Sequence, residues 1–129
     1  MINYGFSKQI DLPFEKAEEV VTEELKKKGF GILTKIDVRE KFKEKLGIEF
    51  KNYVILGACN PPYAHKAILA EEDIGLMLPC NVVIYEKEGK TILSVIKPSI
   101  AMGMIENEAL KQIAFEVESK LKQVFDSIK

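Results

Sequence analysis

Residues 57–86 hold both cysteines, the only histidine and three of the five prolines of this 129-residue chain. Cys59, His65 and Cys80 are the side chains whose types could do chemistry. A thiolate can act as a nucleophile or a redox group, and an imidazole beside it can serve as its base. Two thiols and an imidazole are also good zinc ligands. Both kinds of chemistry require the fold to bring the three side chains together.

The elements around the cysteines predict how they would meet. Cys59 lies at the end of one predicted strand and Cys80 at the start of the next, and a short helix over residues 61–71 carries the histidine between them. If the two strands are antiparallel neighbours, both cysteines lie at one edge of the sheet. We therefore expect a site at this edge, built from residues 59–65 and 76–81.

Thiol chemistry competes with a structural role for the two cysteines. Cys59 directly precedes a helix N-terminus, whose partial positive charge can lower a thiol pKa, so that Cys80 would resolve and His65 would act as base. However, free cysteines are among the most buried residues, and both of these continue apolar strands, in VILGAC and CNVVIY. Burial in the core is therefore the favoured interpretation. His65 borders the helix face that points to the core, so it fits a surface position as well as a site.

The sequence has no spacing typical of a metal site. CxxC and HxxxH pairs are absent, and a fourth ligand would have to come from the acidic residues 71–73 or from water. We predict no metal and no cofactor. P-loop, GxGxxG, GxSxG and zincin motifs are also missing, so no enzyme class is indicated.

Binding of a small molecule would use the same stretch differently. The candidate ligand-binding residues are Asn60, Pro61, His65 and Asn81. The helix start at Pro61 could hold an anion, but two prolines there remove amide donors, which weakens an anion site. Asn60 is better suited to capping backbone groups. Nearby apolar side chains would line a pocket or an interface with another subunit, and these are Leu76, Met77 and Leu78.

Apolar periodicity predicts elements in the order β-α-β-α-β-α-β-β-α. The strands cover residues 2–10, 30–36, 48–59, 80–86 and 91–97, and the helices cover about 13–28, 38–46, 61–71 and 107–128. A turn around Gly89 joins the last two strands, which requires antiparallel pairing. We predict a single domain over residues 1–129, a two-layer α+β sandwich with a five-stranded mixed sheet and the helices packed on it.

Composition excludes several classes of protein. Lys and Arg number 19 against 20 Asp and Glu, so the chain lacks the positive field that nucleic-acid or anionic-membrane binding needs. No apolar run approaches the ~18 residues of a membrane span, and the first residues lack a secretion signal. We expect a cytoplasmic protein with reduced thiols. Few glutamines beside many Lys, Glu and Ile resemble the composition of a thermophile's protein.

The stretch GACNPPYAHKAILAEEDIGLMLPCNVVIYE resembles the core signature of domain-of-unknown-function family 302, a family of small bacterial and archaeal proteins. Its most specific element is LPCN before the fourth strand, and the resemblance covers nearly the whole chain. The family implies a two-layer α+β fold and a homodimer, and it implies no established reaction. The residues that it emphasises are Cys59, Asn60, Pro61, Leu78, Pro79, Cys80 and Asn81.

The sequence thus leaves three functional hypotheses. The leading one is a small-molecule-binding or accessory protein with a pocket at residues 59–65 and 76–81. The first alternative is a thiol- or metal-dependent enzyme that uses the two cysteines and the histidine. The second is a homodimeric interaction module that associates through the segment Leu76, Met77 and Leu78.

Overall fold

One five-stranded sheet organises the computed structural model, which describes residues 2–129. Its strands are β1 (Gly5–Ile10), β2 (Gly31–Asp37), β3 (Tyr53–Cys59), β4 (Cys80–Lys87) and β5 (Lys90–Ile96). They lie side by side in the order β1-β5-β4-β3-β2, and all four neighbouring pairs are antiparallel. The predicted two-layer α+β sandwich with five strands is confirmed.

The prediction that the sheet is mixed was wrong. A parallel pair needs a crossover that carries the chain from one end of the sheet to the other. The connections from β2 to β3 and from β3 to β4 instead leave and re-enter the sheet at the same end, and β4 turns directly into β5. β1 then pairs antiparallel with β5 at the edge, so no parallel pair forms.

Five α-helices and one short 3₁₀ segment complete the fold. They are α1 (Phe14–Lys26), α2 (Val38–Leu46), α3 (Pro61–Ala70), the 3₁₀ segment (Glu72–Met77), α4 (Pro98–Ala101) and α5 (Glu108–Ser127). α1 and α5 pack their apolar stripes on one face of the sheet and form the main core with it. α4 and the 3₁₀ segment were not predicted, because elements this short carry too few residues for a periodic pattern.

Local signals fix the helix ends nearest the site. α1 is followed by Gly29 at φ +86°, and the Phe30 amide then donates to the Leu25 carbonyl at 3.0 Å. α2 begins after Asp37, whose side chain accepts a hydrogen bond from the Glu40 amide at 3.0 Å. Both ends lie where the sequence pattern predicted them. β3, by contrast, begins later than the predicted strand, which started at residue 48.

Asn107 links the start of α5 to the end of α3. Its side-chain oxygen accepts a hydrogen bond from the Leu110 amide at 3.0 Å, which is the predicted helix cap. Its side-chain nitrogen donates to the Ala70 carbonyl at 2.7 Å and to a Glu71 carboxylate oxygen at 3.1 Å. One amide therefore satisfies backbone groups at two helix ends and fixes the spacing of α3 from α5.

We expect Asn107→Ala to lower the free energy of unfolding by about 1–2 kcal/mol, because it removes both the cap and the link to α3. Asn107→Asp keeps the acceptor of the helix cap but loses the donor to α3. Its free energy of unfolding should therefore lie between those of the wild type and the alanine variant. Urea denaturation of the three proteins measures both effects. Equal stability of the alanine variant and the wild type would show that neither contact matters.

Candidate functional site

The two cysteines lie at the same edge of the sheet, because β3 and β4 are antiparallel neighbours. Ala58 pairs with Cys80, and Cys59 is the next residue along β3. The chain leaves this edge through α3 and the 3₁₀ segment and returns to it at Cys80. The predicted excursion from one strand end to the neighbouring strand end is therefore present.

An apolar pocket lies between this edge, α3 and α5. Its cavity has a volume of about 30 Å³. The sheet and its adjoining loops contribute Phe30, Ala58, Cys59, Asn60, Leu78, Pro79 and Cys80, and the helices contribute Tyr63, Ala64, Ala67, Pro98, Met102, Ile113, Ala114 and Val117. The pocket thus combines both predicted segments with a face of α5 that the sequence indicated only as packing surface for the sheet.

The two thiols in the pocket are weak acids. Cys80 is 8% exposed, and its burial, together with the neighbouring Cys59, raises its pKa to about 11. Cys59 is half-buried, and desolvation raises its pKa as well. The lowered pKa that a position before a helix N-terminus can produce is therefore not found for Cys59, whose pKa shift is caused by desolvation. This agrees with the favoured interpretation that both cysteines are core residues.

Asn60 caps a different helix from the one predicted. Its side chain makes no capping hydrogen bond to α3, which it precedes. Its nitrogen instead donates to the Lys28 carbonyl at the end of α1, at 3.2 Å. A Cβ atom on Gly29 would lie 3.1 Å from that nitrogen, so glycine leaves room for the contact. Asn60 thereby holds the end of α1 against one wall of the pocket.

The other candidate residues on α3 lie outside the pocket. Pro61 and His65 are both exposed. Tyr63, Ala64 and Ala67 face the pocket instead, so the helix turns its histidine towards the solvent. No residue pattern in the sequence marked Tyr63. Its position four residues before Ala67, an apolar residue of the same helix, is the signal that would have found it.

The remaining predicted residues divide between two places. Asn81 follows Cys80 in β4 and therefore points to the opposite face of the sheet, where it is exposed. Leu76 is 90% exposed, whereas Met77 and Leu78 pack against a small core cluster under α3. Within residues 2–129, no three His, Cys, Asp or Glu side chains form a group that could hold a metal ion, so the cysteines and His65 do not form one.

Comparison with known proteins decides the family. The family described as "Domain of unknown function DUF302" matches residues 6–128. The chain is a member of the DUF302 family. This DUF302 protein is also similar to the "uncharacterized conserved protein DUF302 from Bacillus stearothermophilus", whose crystal structure superposes with a TM-score of 0.92 at 32% sequence identity. The match covers 99% of this chain and 100% of that one. No match is found among curated proteins.

The family resemblance that the LPCN stretch indicated is therefore confirmed. The family carries no assigned function, so it supplies no catalytic residue. No helix within residues 2–129 is both long and apolar enough to cross a membrane.

Proposed function

We propose that this DUF302 protein binds a small molecule by its apolar end in the pocket between α3, α5 and the edge of β3 and β4. The observation that carries the proposal is the lining of the cavity, which is almost entirely apolar and draws on separate elements of the fold. Ligand sites are characteristically concave and apolar with few polar groups. Both predicted segments, residues 59–65 and 76–81, contribute to this one.

The size of the cavity limits the buried part of the ligand. Its volume of about 30 Å³ exceeds the ~10–15 Å³ that one water-sized group needs. A methyl or ethyl group therefore fits without rearrangement. Longer alkyl groups need a wall to move, and Met102 is the adaptable wall because a methionine side chain is unbranched and flexible.

The polar groups at the pocket favour a ligand with a polar end. Asn60 makes one side-chain hydrogen bond within residues 2–129, through its nitrogen. Its oxygen can therefore accept a hydrogen bond from a ligand. The Tyr63 hydroxyl is a second group that can donate or accept. A short-chain alcohol, amide or carboxylate matches this combination of an apolar interior and neutral polar groups.

The alternative of a thiol enzyme has less support. A nucleophilic cysteine needs a lowered pKa, and burial shifts the pKa of both thiols in the opposite direction. His65, the base that the hypothesis requires, is exposed on α3 and is not part of the pocket wall. Cys80 fits better as an apolar wall residue.

A series of alcohols, amides and carboxylates, from methyl to hexyl, tests the proposal by thermal denaturation. A ligand present at ten times its Kd should add about 1.4 kcal/mol to the free energy of unfolding and raise the Tm. Ala64→Leu should abolish the response, because leucine at the half-buried position 64 fills the cavity. Ala109→Leu, the same exchange at an exposed position of α5 outside the pocket, should respond like the wild type.

Two outcomes would count against this function. The first is that no member of the series stabilises the wild-type protein. The second is that Ala64→Leu and the wild type respond equally, which would place binding elsewhere.

A further inference from the structure

The face of the sheet opposite α1 and α5 carries no charge in three of its four paired rows. The fourth row, at the end where β4 turns into β5, is the pair Lys87 and Lys90. We call the three uncharged rows the open face, and its residues are Gly5, Ser7, Gln9, Thr34, Ile36, Tyr53, Ile55, Gly57, Asn81, Val83, Tyr85, Ile92, Ser94 and Ile96. Charged residues make up 30% of the chain, so several would be expected among so many positions. A sheet face that meets water is normally polar.

The charged residues of the edge strands point to the other face. Lys8 of β1 donates to the Phe125 carbonyl of α5 at 2.6 Å, and Lys35 of β2 pairs with Glu18 of α1 at 2.9 Å. The covered face therefore carries lysines at its edges, whereas the three rows of the open face carry none and the lysines of the uncovered side are paired at one end of the sheet. This distribution is the reverse of what a solvated open face requires.

α2 extends this surface at the end where β4 turns into β5. It has no buried residue of its own, although a helix of this length is marginal without packing. Aromatic rings connect it to the open face. Phe42 of α2 lies 5.0 Å from Phe50 between ring centroids, Phe50 lies 6.5 Å from Tyr53, and Tyr53 stacks on Tyr85 at 5.3 Å.

We propose that the open face docks against the open face of a second copy of this chain, forming a sheet-on-sheet homodimer about a two-fold axis. In such an interface the same patch meets itself, so a charge near the axis would face a like charge. A patch of Ile, Val, Tyr, Ser and Asn avoids that repulsion and is complementary to its own copy. The pocket on the helix side of the sheet stays free in this dimer.

The area of the uncovered side of the sheet agrees with the docking of a second copy of the chain. Five strands about 4.8 Å apart, with about seven residues at about 3.3 Å each, give a whole sheet face of about 550 Å², which includes the Lys87–Lys90 row at one end. Two copies would bury about 1,100 Å² in total, above the ~1,000 Å² expected of a specific interface. Tyr4, which is 59% exposed beside β1, and α2 would add to it.

Sedimentation equilibrium of the wild-type protein should give twice the chain mass of 14.6 kDa. The dissociation constant should change little with salt, because the three rows around the axis carry no charge and the Lys87–Lys90 row lies at the end of the sheet. Val83→Lys places a charge at the middle of the central strand and should raise that constant by roughly 100-fold or more. Leu69→Lys and Leu76→Lys, at exposed positions of α3 and the 3₁₀ segment, should leave it unchanged.

A wild-type protein that is monomeric at every concentration measured would overturn the proposal. So would a dimer that Leu76→Lys dissociates and Val83→Lys does not, since that result would assign the interface to the 3₁₀ segment. If Val83→Lys does not fold, mixed isotope labelling of the wild type decides. Intermolecular nuclear Overhauser contacts should then reach the methyl groups of Ile55, Val83 and Ile92, and contacts elsewhere would reject the open face.

Discussion

Replacing Gly57 by alanine should lower the free energy of unfolding by about 3 kcal/mol, the upper end of what overpacking costs. Gly57 lies in β3, two residues before Cys59. A Cβ atom there would overlap the Thr34 hydroxyl oxygen of β2 and lie 2.6 Å from the Pro79 Cγ atom. The Thr34 and Pro79 side chains, or the backbone that carries them, would have to shift, because Thr34 is paired directly with Gly57. Glycine is therefore required for the close packing at this edge.

Urea denaturation measures the loss, and Gly75→Ala in the 3₁₀ segment is the matched control. A Cβ atom at Gly75 meets nothing within 4 Å, so that substitution should leave stability unchanged or raise it slightly. Adding Thr34→Ala to Gly57→Ala should restore part of the loss, since it removes one of the two overlapping atoms. Equal stabilities of Gly57→Ala and Gly75→Ala would refute the steric explanation.

Short-range signals explain why the order of the main elements could be predicted. Gly29 ends α1, Asp37 caps α2 and Asn107 caps α5, and each of these effects involves residues at most five positions apart. The meeting of the cysteines at one edge follows from the same kind of reasoning. Two successive strands joined by a short helical excursion are usually neighbours, and antiparallel pairing then returns the chain to the edge that it left.

Contacts between distant residues explain what the sequence did not reveal. Asn60 binds the Lys28 carbonyl, which is 32 residues away, rather than its own helix. The rotation of α3 about its axis is set by packing against α5, and that rotation places Tyr63 in the pocket and His65 in solvent. Neither arrangement is indicated by a pattern among residues that are close together in the sequence.

The open face of the sheet is another feature that the sequence alone does not reveal. Alternation along one strand, such as Val83 and Tyr85, is visible in the sequence, but a buried strand and a strand in a dimer give the same apolar pattern. Only the register shows that Ser7, Ser94, Val83 and Ile55 form one row across the sheet. The lack of charge in these rows is thus a property of neighbouring strands and becomes evident after the strands are aligned.

Burial of Cys80 should make the protein lose stability as the pH rises from about 9 to about 11. Its pKa is about 11 in the folded protein against an ordinary value of 9.0. Above pH 9 the unfolded chain releases the thiol proton while the native protein keeps it, so the native state binds more protons in this window. The stabilisation is fully present below pH 9 and is lost as the pH passes through the folded value. Two pKa units correspond to about 2.7 kcal/mol.

Comparison with Cys80→Ala isolates this effect from the lysines and tyrosines that also titrate in alkaline solution. The difference in unfolding free energy between the wild type and the variant should shrink by about 2–3 kcal/mol across the window. Cys59→Ala should show a smaller change, because Cys59 is half-buried whereas Cys80 is buried. Parallel curves for the wild type and Cys80→Ala would mean that the Cys80 thiol titrates as in the unfolded chain. In that case its burial would not suppress the thiolate, and thiol chemistry at this pocket would regain support.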